Sequence, residues 1–347
     1  MPFTYPPFAA ALFGSLMLPP WPVTVLLWTA GGLVLFALAC VTAARHTAHP
    51  SVGLGAAACF LLLDPLRGTL ELGQVNMVLI GLVALDCLLP RTPWPRGLLV
   101  GLAAAVKLTP AVFVLFFLAR GRCRAAGTAV ASFAALGAVG WAVAPADSAC
   151  FWFHAMPDPG RVGGLAYTGN QSLRGMLFRL GVGTPVWAVL CLLVLAVTWV
   201  VITRTRHDLT AVLAVATAGL LISPVSWSHH WVWIGPALLV LRGGVRVAVG
   251  LVFLVGPHWL LPRTGDVELR WQWWQHAVGN SYVWLGVAFL VWLLLRTTGR
   301  TAPGTQPCGH RVTRPVRHAQ AAISTRLRRP SLPCTDVRCV LTVDSDR

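Results

Sequence analysis

Charge is scarce in this chain. Charged residues make up 11% of it and hydrophobic residues 56%, with a mean hydropathy of +0.70. Soluble domains carry about 25% charged residues, so a soluble globular fold is excluded and a polytopic membrane protein is indicated. Lysine is nearly absent, because Lys107 is the single lysine among 27 basic residues. The arginine excess reads as composition, and the chain has no aromatic–basic alternation of the kind that marks nucleic-acid binding. Nine cysteines form no C-x-x-C pair, which argues against a disulfide framework or a zinc site. No H-E-x-x-H, internal repeat or signal peptide with a basic leading region is present.

What is present is a series of apolar runs. About nine or ten hydrophobic segments follow one another, several too short for the roughly 20 helical residues that a bilayer core needs. The expected fold class is all-α, a polytopic integral membrane protein with short or broken helices. The expected spans are Trp21–Ala44, Gly73–Leu89 and Ala125–Val143, and the apolar segments Trp187–Thr203, Leu209–Ile222, Trp231–Leu241, Val245–Leu261 and Tyr282–Leu295 follow. Gly97–Leu118 is interrupted at Lys107-Leu108-Thr109-Pro110, which predicts a hairpin or paired half-helices. The expected division is a membrane domain over 1–295 and a basic tail, without a span, over 296–347.

Arginines cluster at alternate segment ends: Arg45, Arg91 and Arg96, Arg120 to Arg124, Arg204 and Arg206, Arg242 and Arg246, Arg296 and Arg300. The positive-inside rule puts these ends in the cytoplasm. The other junctions then face outward: residues 1–20, Asp64–Leu72, Asp147–Val182, Ser223–His230 and Pro262–Ser281. They carry the polar groups that are costly near a membrane and are therefore functional candidates.

The densest of these junctions is Ser223-Pro224-Val225-Ser226-Trp227-Ser228-His229-His230-Trp231-Val232-Trp233. Adjacent histidines diverge by about 100° on a helix, which argues against joint ligation of one metal; no metal site is expected. A histidine that hydrogen-bonds a substrate or a carboxylate fits better. Asn170-Gln171-Ser172 fits the start of a helix over Leu173–Leu180, with Arg174 and Arg179 close by as a possible anion site.

Five motifs in order then make the sequence recognisable. They are Phe3-Thr4-Tyr5-Pro6-Pro7, Gly73-Gln74-Val75-Asn76, Val106-Lys107-Leu108-Thr109-Pro110, Gly169-Asn170-Gln171-Ser172-Leu173 and Ser223 to Trp231. Over roughly residues 1–295 the chain resembles the actinobacterial polyprenol-phosphate-mannose-dependent α-(1→2)-mannosyltransferases, membrane glycosyltransferases of the GT-C fold class. The resemblance implies transfer of a mannosyl or related hexosyl residue from a polyprenyl-phosphate donor to a lipid-linked or glycan acceptor. Transfer is expected at the extracytoplasmic face of the cell membrane, with inversion and with no cofactor. Membrane lipid is an expected partner and nucleic acid is not.

The resemblance also implies roles. His229 or His230 orients the catalytic carboxylate or contacts sugar hydroxyls. Lys107, Arg67 or Arg174 neutralises the donor phosphate. Gln74, Asn76, Asn170 and Gln171 bond the sugar, while Tyr5 and Trp227 pack on the sugar or the prenyl chain. In the GT-C class the carboxylate lies in the first outer loop, ahead of the Phe-Thr-Tyr-Pro-Pro motif; this chain opens at that motif, and no acidic residue precedes Asp64. The expectation is therefore that the first helix and the base are missing, with Asp64 and Glu71 as poor substitutes. A transporter and a non-catalytic remnant are the alternative readings.

Overall fold

A computed structural model describes residues 4–158 and 163–298. Sixteen α-helices occur in the described residues. In chain order they are α1 (Pro7–Ser15), α2 (Trp21–Ala44), α3 (Gly53–Phe60), α4 (Asp64–Glu71), α5 (Asn76–Leu88), α6 (Leu98–Val106), α7 (Val114–Ala119) and α8 (Cys123–Val143). They continue with α9 (Pro145–Cys150), α10 (Leu173–Arg179), α11 (Thr184–Arg204), α12 (Asp208–Ile222), α13 (Ile234–Val240), α14 (Gly243–Val255), α15 (Trp273–Gly279) and α16 (Ser281–Thr298). Among the described residues the only β-pairing is one antiparallel bridge, Asn170 to Trp227. The expected all-α class is what forms. Helix is also the economical answer for an apolar chain in lipid, because it satisfies the backbone within each segment.

Four of these helices, α2, α8, α11 and α16, are long and apolar enough to cross a membrane. The turn Pro50–Val52 with α3, taken together with α4, forms a further pair bent by 61°. Shorter apolar helices lie over Asn76–Leu88, Thr109–Ala119, Asp208–Ile222 and Gly243–Val255. The protein is thus a multi-pass membrane protein. The tail expected over 296–347 lies outside the described residues from position 299 onward.

The chain does break at Lys107. α6 ends at Val106, Lys107 is extended (φ −151°, ψ 129°), and a 3-10 turn over Thr109–Phe113 leads into α7. Proline at position 110 sits in the first turn, where its missing N–H costs nothing. Both arms return to the start of α8. On one side Gly97 packs against Ala125, and on the other α7 ends four residues before Cys123. Lys107 is therefore the tip of a hairpin.

Two acidic residues hold the base of this hairpin. Asp86, fully buried near the end of α5, accepts from Gly97 N with both carboxylate oxygens (3.0 Å each), from Val100 N (3.0 Å) and from Trp94 Nε1 (3.2 Å). These bonds serve N–H groups at the start of α6 that have no partner within the helix. Gly97 has φ +101°, and a Cβ there would lie 2.0 Å from Ala125 O, so only glycine fits. Asp208, at the start of α12, pairs with Arg120 (2.7 Å) and Arg122 (3.2 Å) just beyond α7. Small residues also allow close helix approach elsewhere. A Cβ at Gly81 of α5 would lie 2.6 Å from Leu35 Cβ of α2.

Replacing Asp86 by alanine removes the acceptor for Gly97, Val100 and Trp94. The expected cost is on the order of 2–3 kcal/mol, read as a lowered thermal unfolding midpoint of the detergent-solubilised protein. An unchanged midpoint would show that the hairpin base does not depend on this carboxylate.

Candidate functional site

The tip of the hairpin meets the Ser223–Trp233 stretch. Lys107 Nζ lies 2.9 Å from His230 Nε2 and 3.1 Å from Asn76 Oδ1, and it stands 5.7 Å from the centroid of the Tyr5 ring. A lysine ammonium only donates. His230 Nε2 therefore accepts, and the imidazole carries its proton on Nδ1. Among the described residues Asp208 supplies the carboxylate of both salt bridges, and none reaches Lys107. The cation is held by neutral groups.

Asn76 does two jobs. Its Oδ1 accepts from Lys107, and its Nδ2 donates to His229 O (2.8 Å) and to Thr69 Oγ1 (3.3 Å). Thr69 Oγ1 in turn donates to the same His229 carbonyl (3.0 Å). The His229 and His230 rings meet edge to face at 4.8 Å. Tyr5 donates from its hydroxyl to Gln74 Oε1 (2.7 Å), and Trp28 Nε1 bonds Gly73 O (3.0 Å). The structure thus brings together Tyr5, Gln74, Asn76, Lys107, His229 and His230, from four motifs distant in sequence. Beside them lies a narrow cavity of ≈ 50 Å³, walled by Asn76, Lys107, Thr109, Pro110, His230 and Trp233 among others.

The remaining expected site residues lie apart from this cluster. Arg67 is exposed and donates to Leu254 O (3.0 Å). Arg174 lies over the Trp187 ring at 5.4 Å. Trp227 packs edge to face on Tyr167 at 5.8 Å. Asn170 and Gln171 are fully buried, and their amides bond the backbone: Ser226 N to Asn170 Oδ1 (3.1 Å), and Gln171 Nε2 to Thr168 O (2.8 Å) and Gly279 O (2.7 Å). Main-chain bonds from Gln171 N to Ser226 O (2.7 Å) and from Ser228 N to Gly169 O (2.8 Å) complete the seam. These two residues brace the histidine segment from behind and present no free amide to a sugar. Ser172 caps α10, accepting from Gly175 N (3.0 Å), so the expected helix start is present. The anion site expected beside it does not form. Arg179 is buried and spends its guanidinium on the carbonyls of Ala166, Tyr167 and Asn170 and on Asn280 Oδ1. Phe3 and Arg161 lie outside the described residues.

The sequence profile of glycosyltransferase family 87 matches residues 3–224. The chain belongs to that family. It is 40% identical over 335 residues to the polyprenol-phosphate-mannose-dependent alpha-(1-2)-phosphatidylinositol mannoside mannosyltransferase of Mycobacterium tuberculosis H37Rv, covering 87% of this chain and 78% of the relative. The protein of the same description from Mycolicibacterium smegmatis is 38% identical, covering 88% and 78%. A phosphatidylinositol pentamannoside mannosyltransferase of the latter organism is 34% identical, covering 86% and 78%. No solved structure matches. This family 87 member is therefore a membrane glycosyltransferase.

Two groups frame the site of this family 87 enzyme: Asp64, expected only as a poor substitute base, and His258, which sequence reasoning missed. Asp64, at the start of α4, accepts from Tyr282 Oη (2.9 Å) and Trp259 Nε1 (2.9 Å), so each carboxylate oxygen has a partner. It pins the loop after α14 and the start of α16 to the helix that carries Thr69. Glu71, the other acidic residue of α4, is exposed. His258, in the turn Pro257–Leu260, is fully buried, and neither ring nitrogen has a protein partner. It lies between Trp259 (4.6 Å) and Tyr282 (4.8 Å). Burial, and then the charges of Arg179 and Arg263, push its pKa down to about 3.

A histidine whose folded pKa lies below the unfolded value of about 6.5 binds fewer protons when folded. Its contribution is therefore intact above about pH 6.5 and is lost as pH falls towards 3. Thermal midpoints measured from pH 7.5 to 4.5 should drop for the wild type and drop less for His258→Phe. Parallel curves would remove His258 from the account.

Proposed function

We propose that the chain transfers a mannosyl residue from a polyprenyl-phosphate donor to a lipid-linked acceptor of the phosphatidylinositol mannoside class. Transfer takes place at the extracytoplasmic face of the cell membrane, with inversion at the anomeric carbon. The observation that carries this reading is Lys107: an ammonium group at the tip of a broken hairpin, beside a cavity, held by neutral partners and therefore with charge to spare for a donor phosphate. The relatives support the substrate classes, since their descriptions specify a polyprenol-phosphate-mannose donor and phosphatidylinositol mannoside acceptors.

The roles follow from the geometry. Lys107 compensates the charge that grows on the phosphate as the glycosidic bond breaks, when the sugar acquires oxocarbenium character. His230 holds Lys107 through Nε2 and keeps its one N–H, on Nδ1, for the phosphate or a sugar hydroxyl. His229 packs edge to face on His230 at 4.8 Å and supports it from the side. Gln74 and Tyr5 offer hydrogen bonds on the sugar side, and Asn76 sets the spacing between Lys107 and the histidines. The acceptor hydroxyl loses its proton to a carboxylate, which the GT-C resemblance expects in a loop on the N-terminal side of the Tyr5 motif. Asp64 is unsuited to that task because Tyr282 and Trp259 occupy both oxygens. Asn170 and Gln171 act as bracing, Trp227 closes the outer edge with Tyr167, and Arg67 and Arg174 stay at the periphery. Basic groups at the opposite segment ends lie on the cytoplasmic side.

The test is mannosyl transfer from labelled polyprenyl-phosphate mannose to phosphatidylinositol mannosides in membranes containing the protein. Lys107→Met should lower transfer by about 100-fold or more, and His230→Ala by a smaller factor. Arg67→Ala and Arg174→Ala should retain most of the activity. Wild-type transfer with Lys107→Met would refute the assignment, and transport of the donor without product would favour a transporter instead.

A further inference from the structure

A cavity larger than the one beside Lys107 lies elsewhere in the molecule. A groove of ≈ 320 Å³ runs between α12, α13, α14 and α16 and is walled almost wholly by apolar side chains. At one end it reaches Trp231, Phe253 and Leu285. At the other its lining includes Arg242 and Arg296. Both arginines are exposed, and among the described residues neither has a carboxylate partner. Arg296 lies 4.3 Å over the Trp292 ring, which also lines the groove.

From Leu285 to Arg296 is about 16 Å along α16 at 1.5 Å per residue. That is close to half of a hydrocarbon core of about 30 Å. The groove therefore has the depth of one leaflet, apolar along its length and cationic at its mouth. Its charges lie at the segment ends away from the Lys107 tip, so a donor phosphate at Lys107 leaves them unused. The chain's own tail is the wrong occupant. Beyond Thr298 its arginines outnumber its three acidic residues, so it carries the same sign as the mouth.

We propose that this groove binds an acyl chain of an anionic phospholipid from the arginine-side leaflet, with the lipid phosphate held by Arg242 and Arg296. Guanidinium groups suit phosphate through paired N–H donors, and basic residues at a membrane surface attract anionic lipid. A seated chain would press on Trp231 and Trp233. Trp233 and Leu220 form a wall shared with the Lys107 cavity. Occupancy of the groove is thereby coupled to the backbone that carries His229 and His230.

The test is lipid retention by the purified full chain, measured by native mass spectrometry after exchange into detergent with equal phosphatidylglycerol and phosphatidylcholine. This readout is independent of sugar transfer. The wild type should favour phosphatidylglycerol by about tenfold. Arg242→Ala with Arg296→Ala should bring the two lipids to parity, and the Arg→Lys pair should keep a partial preference. Ala288→Trp, at an exposed position on the groove wall, should lower phosphatidylglycerol retention with both arginines intact. Unchanged retention in Ala288→Trp would overturn the groove as the chain's seat. Displacement of phosphatidylglycerol by equimolar polyprenyl phosphate would overturn it in favour of the donor's own chain.

Discussion

A single ammonium group inside an apolar chain sets the terms for the rest of this molecule. Lys107 cannot be left bare in a low-dielectric setting, because an unpaired charge there costs far more than any one contact returns. Here the solution is lone pairs, not a counter-ion. Asn76 and His230 each give one, and the Tyr5 ring offers its face. That choice has a geometric consequence. Asn76 can accept from Lys107 only while its amide donates to His229 O, so α5, the hairpin tip and the histidine segment are fixed by one side chain.

Behind this front the bracing is polar and buried. Asn170 and Gln171 stitch the histidine segment to the loop before α10, and Arg179 gathers the carbonyls of that loop. Irregular backbone near a membrane must find its partners within the protein. In the 3-10 turn Ser228–Trp233 the Asn76 amide and the Thr69 hydroxyl serve the His229 carbonyl, and Ser228 N donates to Gly169 O.

Much of this was legible in the sequence, for physical reasons that differ from part to part. The long apolar helices show themselves by length alone, and the break at Lys107 by a proline and a cation where neither suits a continuous helix. The meeting of Lys107 with the histidines was expected only through the family resemblance. Asn170 and Gln171 illustrate what composition hides. An amide reads the same whether it faces a sugar or a carbonyl, and only the tertiary partner decides. Asp86 was likewise silent, since a carboxylate serving Gly97 and Val100 looks in sequence like any acidic residue near a helix end. Arg179 looked like an anion site and proved to be internal bracing.

The bond between Asp64 and Tyr282 spans 218 positions. During synthesis the carboxylate leaves the ribosome long before its phenol exists. Until α16 arrives, Trp259 can serve only one of the carboxylate's two oxygens. A late helix therefore locks the seat of Thr69 and, through it, of the His229 carbonyl. The cluster around Lys107 thus leans on a helix made after all of its own residues.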